Sequence, residues 1–254
     1  NLPHPVPAYT NKAFSPYENN YFDILGNDYT EDRYHFGPLL IEAVQAKKRH
    51  EISTHTFCHY YCLEEGQTIG SFRADIAKAI EVAKGYNIEI RSIIFPRNQF
   101  NEQYLNVLEE LGITNYRGCE ESWIYQAHDG SDETRRRRIF RFADAYINIS
   151  GHNCYSDEYL KKSFPVNIPS SRFLRPYSSK VRFLDWLRLN RIKTGMTHAA
   201  KNNLTYHIWW HPHNMGINQE ESFDFLRKIL SHFKQLQEKY NFRSITMTDL
   251  ANEM

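Results

Sequence analysis

The sequence is short of several features that define whole classes of protein. Its 254 residues include only 4 cysteines, too few for a disulfide scaffold, and Cys58 and Cys62 lack the C-x-x-C spacing of zinc ribbons. We expect all four thiols to be reduced, which favours a cytoplasmic location. The formal net charge of +1 gives no general affinity for nucleic acid. No run of 18 apolar residues occurs, so the sequence predicts no membrane span.

Common nucleotide-binding and protease signatures are also missing. Neither G-x-G-x-x-G nor G-x-x-x-x-G-K occurs, and these are the usual fingerprints of dinucleotide and nucleoside triphosphate binding. The H-E-x-x-H motif of zinc proteases is absent too. No signal peptide is recognisable, residue 1 is Asn, and the first 30 residues are rich in Pro, Tyr and Asn. We therefore expect that an upstream segment has been removed or left out.

The charges and aromatic residues that are present have plain interpretations. The one basic run, Arg135–Arg138, follows Asp132 and Glu133, and a solvated helix face explains it. Contact with an anionic lipid, a nucleotide-sugar or a polymer is the alternative. Aromatic residues make up 15% of the chain. This surplus fills a core in the simpler interpretation and lines a sugar-binding cleft in the other.

Short apolar segments alternate with helical patterns along the chain. Strands are predicted at 51–55, 91–95, 114–118, 169–174, 205–211 and 243–247, with helices at 38–48, 68–86, 101–112, 133–145, 182–202 and 218–240. This alternation predicts parallel strands with right-handed crossovers, either in an open sheet or in a barrel. We expect a single domain over residues 1–254, in which 1–37 form an irregular N-terminal segment.

Polar residues that could bind a ligand or take part in catalysis follow three of the predicted strands. His55 and His59 lie in STHTFCH after the first strand, Arg97 and Asn98 in FPRNQ after the second, and His211 begins HPHN after the fifth. In barrels and open α/β sheets, active sites gather at the carboxyl ends of the strands. We therefore expect these side chains to converge on one face.

The spacing of His55 and His59 allows a shared metal ion. If the chain makes a helical turn after the strand, residues i and i+4 share a face and both imidazoles can reach one cation. The alternative is an amphipathic stretch that happens to be rich in histidine. Eight further histidines lie in loops, on helices or within a strand, and we expect structural roles for them.

From about residue 38 to the C-terminus, the motifs resemble those of the polysaccharide deacetylases, the NodB-homology carbohydrate esterases. EISTHTFCH is similar to the family's Glu-Ile-Gly-Ser-His-Thr-x-x-His motif, with Ser53 and Thr54 replacing Gly and Ser and with Thr56 keeping the hydroxyl after the first histidine. IIFPRNQFNEQYLNVLEELGITNYRG is similar to the third motif region, and YHIWWHPHN is similar to the last motif.

The chain also departs from the family pattern. The first motif, Thr-Phe-Asp-Asp-Gly, is absent, and Asp23 follows no apolar strand that could carry its role. Pro96 and Arg97 reverse the usual Arg-x-Pro order. The Asp-x-x-Asp-Trp motif has no counterpart, because Asp185 and Trp186 lie in a predicted helix. We expect an N-terminal truncation that removes the first motif, rather than a degenerate site.

The resemblance implies a fold and an activity. The fold is a distorted (β/α) barrel of the polysaccharide deacetylase type, with its first strand missing from this chain. The activity is metal-dependent deacetylation of an N-acetylated sugar, in a polysaccharide or its precursor, as part of surface polysaccharide biosynthesis. A catalytically inactive carbohydrate-binding domain of the same fold is one alternative. A metal-dependent amidase that acts on a small non-sugar amide is another.

The resemblance also implies roles for individual residues. His55 and His59 bind a divalent metal, for which zinc is the first choice and cobalt or nickel are alternatives. His211 is the general acid, with His213 as the competing candidate and a structural histidine as the plain alternative. Arg97 orients an acidic catalytic residue, contacts the substrate, or pairs with a structural carboxylate. The residues assigned to substrate binding are Asn98, Trp210, His213 and Asn214.

Overall fold

Two small parallel sheets form the centre of the protein. The computed structural model describes residues 2–15, 25–126 and 134–254. In the first sheet, β1 (Ser92–Ile94) pairs with β2 (Asn115–Arg117), and β2 pairs with β3 (Val166–Asn167). In the second sheet, β4 (Arg172–Phe173) pairs with β5 (Ile208–Trp209). All of these pairs are parallel, as the alternation of strands and helices predicts.

A single extended segment joins the two sheets. After β3, the Ile168 and Ser170 amides donate to the carbonyls of Tyr116 and Gly118, at 2.9 and 3.0 Å. At the next residue the pairing partner changes, because the Ser171 amide donates to the His207 carbonyl at 2.8 Å. The C-terminal ends of β2 and β5 are therefore carried to the same edge of the fold.

The prediction of a distorted (β/α) barrel is wrong. Within the described residues the strands form one three-stranded and one two-stranded sheet, which do not close on each other. The predicted strand 51–55 contributes a single bridge between Thr54 and Ile93. The predicted strand 243–247 forms no strand, and a helix begins at Met247.

Proline explains part of the shortness of the strands. Pro165 and Pro169 bracket β3, Pro96 follows β1, and Pro212 lies three residues beyond the end of β5. Proline has no backbone N–H to donate to a strand ladder. Strands of two or three residues give too few inter-strand hydrogen bonds to continue around a closed barrel.

Helices supply most of the regular structure of the described residues. The described residues contain α1 (Pro38–Gln45), α2 (Ile69–Gly85), α3 (Leu105–Glu110), α4 (Arg135–Asp144), α5 (Asp157–Leu160), α6 (Asp185–Asn202), α7 (Gln219–Tyr240) and α8 (Met247–Asn252). Thr68 begins α2 with a capping box, in which its side chain and that of Ser71 bond each other's backbone amides. At the start of α7, Asn218 adopts the left-handed conformation and its side chain makes no capping bond. No described helix is long and apolar enough to cross a membrane.

The buried apolar residues form three clusters beneath these helices. One packs α2 and α3 against β1, a second lies between α6 and α7, and a third lies under α8. The described part of residues 1–37 is mostly irregular, with one 3-10 turn at Lys12–Phe14. Its Tyr9 is 1% exposed, and the Tyr9 hydroxyl accepts the Tyr61 amide at 2.8 Å. This contact fixes the N-terminal segment against the loop that follows His55.

Candidate functional site

The structure brings the three predicted strand ends together. His55 follows the Thr54 bridge to β1, and Arg97 and Asn98 follow β1 in a 3-10 turn. His211 lies two residues after the end of β5. Because neighbouring strands run parallel, their C-terminal ends meet at one edge. The candidate site is this edge.

His55 and His59 face each other in the candidate site. Their ring centroids are 5.0 Å apart with an interplanar angle of 73°. The His55 Nδ1 lies 2.8 Å from the Ile94 carbonyl oxygen, so that this nitrogen donates and Nε2 remains available as a ligand. The His59 Nδ1 shares a hydrogen bond of 3.0 Å with the Tyr61 hydroxyl. Each ring is thus oriented through Nδ1, as metal-binding histidines commonly are.

The surroundings favour neutral imidazoles. Partial burial lowers the pKa of His55, and the positive charge of Arg117 lowers it further. Partial burial also lowers the pKa of His59 to about 4, with contributions from His55 and Arg97. Both side chains keep an exposed part that a ligand can reach. Since a metal binds the neutral form of histidine, the pair is ready to bind at neutral pH.

A buried carboxylate holds the loop that carries this pair. Asp75 on α2 is 0% exposed, and it accepts the amides of Phe57 and Cys58 at 2.7 and 3.1 Å. The Thr56 hydroxyl accepts the Tyr60 amide at 2.8 Å. The loop therefore has fixed partners on both sides of His59, although it has no regular structure of its own.

Strained backbone is concentrated at this site. Positive φ angles occur at Thr56 (66°), His59 (57°), Arg97 (51°) and Asn98 (56°). The other non-glycine residues with positive φ in the described chain are all asparagines: Asn87, Asn153, Asn203, Asn218 and Asn241. Asparagine tolerates the left-handed region, whereas β-branched and long side chains disfavour it. The side chains at the site are thus retained at a cost in conformational energy.

Arg97 lies between aromatic rings beside the histidine pair. Its guanidinium carbon is 4.7 Å from the ring centroid of Phe14 and 4.8 Å from that of Tyr61. The Tyr61 ring is in turn 5.2 Å from the ring of His59. Arg97 and His59 therefore pack on the same tyrosine.

Asn98 contacts a buried arginine that the sequence analysis did not select. Its Oδ1 accepts from Arg117 Nη2 at 2.6 Å, and the Arg117 guanidinium lies 4.1 Å from the ring centroid of Trp209. Burial lowers the pKa of Arg117 to about 10. Arg117 Nε and Trp209 Nε1 are buried without a hydrogen-bond partner in the described part of the chain. Two donors at this edge are therefore unsatisfied within the described residues.

His211 lies close to both parts of the site. Its ring centroid is 5.4 Å from that of Trp209 and 5.8 Å from that of Phe173. Burial lowers the pKa of His211, and His213, Arg117 and His55 lower it further. The His213 ring stacks on His211 at 5.1 Å.

The remaining predicted residues are less closely involved. Asn214 donates its backbone amide to the His211 carbonyl at 3.0 Å, which shapes the turn after β5. Trp210 is 38% exposed, and it is the neighbouring Trp209 that packs against Arg117 and His211. Alternation along a strand places residues i and i+2 on one face, so this pattern could have indicated Trp209.

The histidine pair fits two ligands of a divalent metal. Two imidazoles on one tetrahedral zinc have ring centres on the order of 5 Å apart, and the pair matches this separation. Among residues 2–15, 25–126 and 134–254, no group of three His, Cys, Asp or Glu side chains is placed to hold a metal. Asp23, which the sequence analysis considered and set aside, lies outside the described residues. The described part of the chain thus offers two candidate ligands and no third.

Comparison with known proteins gives little further information. No protein-family model matches the chain, and no curated protein matches it. Among solved structures, it is similar to part of a 4-α-glucanotransferase from Thermococcus litoralis, with a TM-score of 0.46 and 12% sequence identity. The match covers 89% of this chain and 32% of that chain, so this chain spans about a third of that enzyme's length. A similarity of this size supports no statement about function.

Proposed function

We propose that this protein removes the acetyl group from an N-acetylated sugar of a polysaccharide or its precursor, with the help of a divalent metal. One observation carries the proposal: two neutral, oriented imidazoles face each other at the same edge as an arginine and a third histidine. The resemblance of the motifs to those of polysaccharide deacetylases supports the same activity.

The proposal assigns two protein ligands to the metal. His55 and His59 would hold it through Nε2, because Nδ1 of each ring has a protein partner. Imidazole ligands suit zinc, and they also suit cobalt and nickel. When bound, the metal supplies an electrophile for the amide carbonyl and an activated water.

His211 is the proposed proton carrier. Breaking an amide C–N bond requires a proton on the departing nitrogen. The lowered pKa of His211 keeps its imidazole neutral at rest, so the ring can accept a proton from the water that attacks the amide carbonyl. The resulting imidazolium is a strong acid and donates that proton to the leaving amine. His213 stacks on this ring and is the competing candidate.

The surrounding side chains suit a sugar. The aromatic surface next to the histidines is formed by Phe14, Tyr61, Phe173 and Trp209. We assign Arg97 and Asn98 to orientation of the substrate, with the exposed Trp210 and His213 and the half-buried Asn214 at the outer rim.

A carbohydrate-binding domain without catalytic activity is the second candidate. It is favoured by the two, rather than three, metal ligands that the described residues supply. In this alternative the aromatic surface serves binding alone.

Metal analysis of the purified full-length protein, paired with an acetate-release assay on N-acetylglucosamine oligomers, tests the proposal. We expect one divalent metal per chain and release of acetate. His55→Ala/His59→Ala should lose both, whereas His50→Ala, at an exposed position after α1, should lose neither. Stoichiometric metal in the double variant would contradict the assignment of ligands. Oligomer binding without acetate release would favour the binding domain, and acetate release from small amides alone would favour an amidase.

A further inference from the structure

Helix α4 has an outward face that is both apolar and basic. At helical spacing, Arg135, Ile139 and Phe142 lie along one stripe, with Arg136 and Arg138 beside it. Ile139 is 65% exposed and Phe142 is 44% exposed. The outer face of a helix on a globular protein is ordinarily polar, so these apolar side chains indicate a contact surface.

Apolar exposure continues on both sides of the helix. Trp123, 52% exposed, packs its ring against Phe140 at 5.5 Å. Ile147 and Ile149, which follow α4, are 62% and 44% exposed. We refer to Trp123, residues 135–142, Ile147 and Ile149 together as the α4 surface.

The backbone beneath the α4 surface is firmly held. The buried Asp144 accepts the amides of Ile149 and Ser150 at 2.9 and 2.8 Å, and it forms an ion pair with Arg172. Arg137 donates to the carbonyl oxygen of Trp123 at 2.8 Å. The exposed apolar side chains thus project from an ordered backbone, which lowers the entropy cost of binding a partner.

The charge of the α4 surface indicates which partner it binds. Five of the seven residues from 135 to 141 are arginines, although Asp132 and Glu133 precede them in the sequence. Arg138, Arg141 and Arg175 line a cleft of about 450 Å³ together with Ile139 and Phe142. Guanidinium groups bind phosphate oxygens in a two-pronged geometry, and the apolar wall suits the start of an acyl chain.

We propose that the α4 surface docks this protein onto a bilayer that contains anionic phospholipids. Basic groups attract the anionic headgroups, and apolar side chains insert between them; this is how amphipathic helices bind membrane surfaces. The proposal does not rest on the proposed function. It does relate to the candidate site in space, because Arg175 lies two residues beyond Phe173, whose ring contacts His211.

Vesicle co-sedimentation of the full chain tests this proposal. We expect binding to phosphatidylcholine vesicles with about 30% phosphatidylglycerol, weaker binding as salt is added, and no binding to pure phosphatidylcholine. Arg135→Gln/Arg136→Gln should lower the partition coefficient by about 30-fold, since each arginine near an anionic surface contributes about fivefold. Ile139→Ser/Ile147→Ser should lower it by at least about 10-fold.

A matched control separates insertion from general surface hydrophobicity. Leu40→Ser/Ile217→Ser changes two side chains of similar exposure, 73% and 75%, that lie outside the α4 surface. We expect this variant to bind vesicles like the unchanged protein, and circular dichroism should show that all three double variants are folded. Equal binding to neutral vesicles would overturn the proposal, as would an Ile139→Ser/Ile147→Ser variant that binds like the control. A concentration-dependent dimer that Ile139→Ser/Ile147→Ser abolishes and the control variant keeps would overturn the proposal too. The α4 surface would then join two copies of the chain.

Discussion

Arg97 gives the sharpest test of the strained site, because two substitutions remove its guanidinium and only one relieves its backbone. Arg97 is exposed, with φ of 51° and ψ of 19°. Asparagine adopts this left-handed conformation more readily than alanine, for which the penalty is about 1–2 kcal/mol. We expect Arg97→Asn to be more stable than Arg97→Ala by about 1 kcal/mol, the lower end of that range. For a chain of this length, the difference corresponds to about 2–4 °C in Tm.

Urea or thermal unfolding, followed by circular dichroism, measures this difference directly. Asn241→Ala is the matched control, because Asn241 is exposed and has φ of 53° at the end of α7, away from the site. That variant should lose about 1 kcal/mol for the same backbone reason. In an acetate-release assay both Arg97 variants should be impaired by at least about 10-fold, because neither can orient the substrate.

Two outcomes would refute this reasoning. If the two Arg97 variants are equally stable while Asn241→Ala loses about 1 kcal/mol, Arg97 is not held in the left-handed conformation. If Arg97→Asn releases acetate at the full rate, the strain at this position has no connection with function.

Three further predictions concern the site and its support. His211→Ala should lower acetate release by about 10²–10⁴-fold without loss of metal, whereas His213→Ala should have a smaller effect; metal loss from the first variant would make His211 a ligand. Asp75→Asn should lower the free energy of unfolding by about 1–3 kcal/mol, because an amide offers one acceptor to two buried N–H groups; unchanged urea unfolding would show that the loop does not depend on it. Burial acts to raise the pKa of Asp144, but Arg172 holds it well below the usual range, so this ion pair stabilises the fold above about pH 4 and less as the pH falls. The stability lost in Asp144→Asn should therefore be largest at neutral pH and shrink below about pH 4, and a constant loss across that range would contradict the assigned ion pair.

Helices were more predictable from the sequence than strands. The periodic apolar stripe of residues 68–86 predicts α2 almost to its ends, and the prediction of a helix at 218–240 is confirmed as α7. Both helices repeat their apolar positions over several turns, so each turn supports the same assignment. A strand of two residues, such as β4 or β5, repeats nothing, and its existence depends on a partner far away in the sequence.

The candidate site was predictable in part. His55, Arg97 and His211 could be selected because each follows a predicted strand, and the structure places them at one edge. Arg117 and Trp209 were missed because their contact depends on which strands lie side by side. That arrangement is decided by the segment after β3, which pairs first with β2 and then with β5.

Backbone strain is the feature of the site that no sequence pattern could predict. A sequence selected only for stability would place glycine or asparagine at left-handed positions, as this chain does at Asn203 and Asn241. Within the described residues, the exceptions are Thr56, His59 and Arg97, and all three lie at the candidate site. Such conflict between local preference and adopted structure is expected where a side chain is retained for chemistry rather than for folding. This argument supports a functional role for the edge formed by His55, His59 and Arg97, and it does not depend on any resemblance to a family.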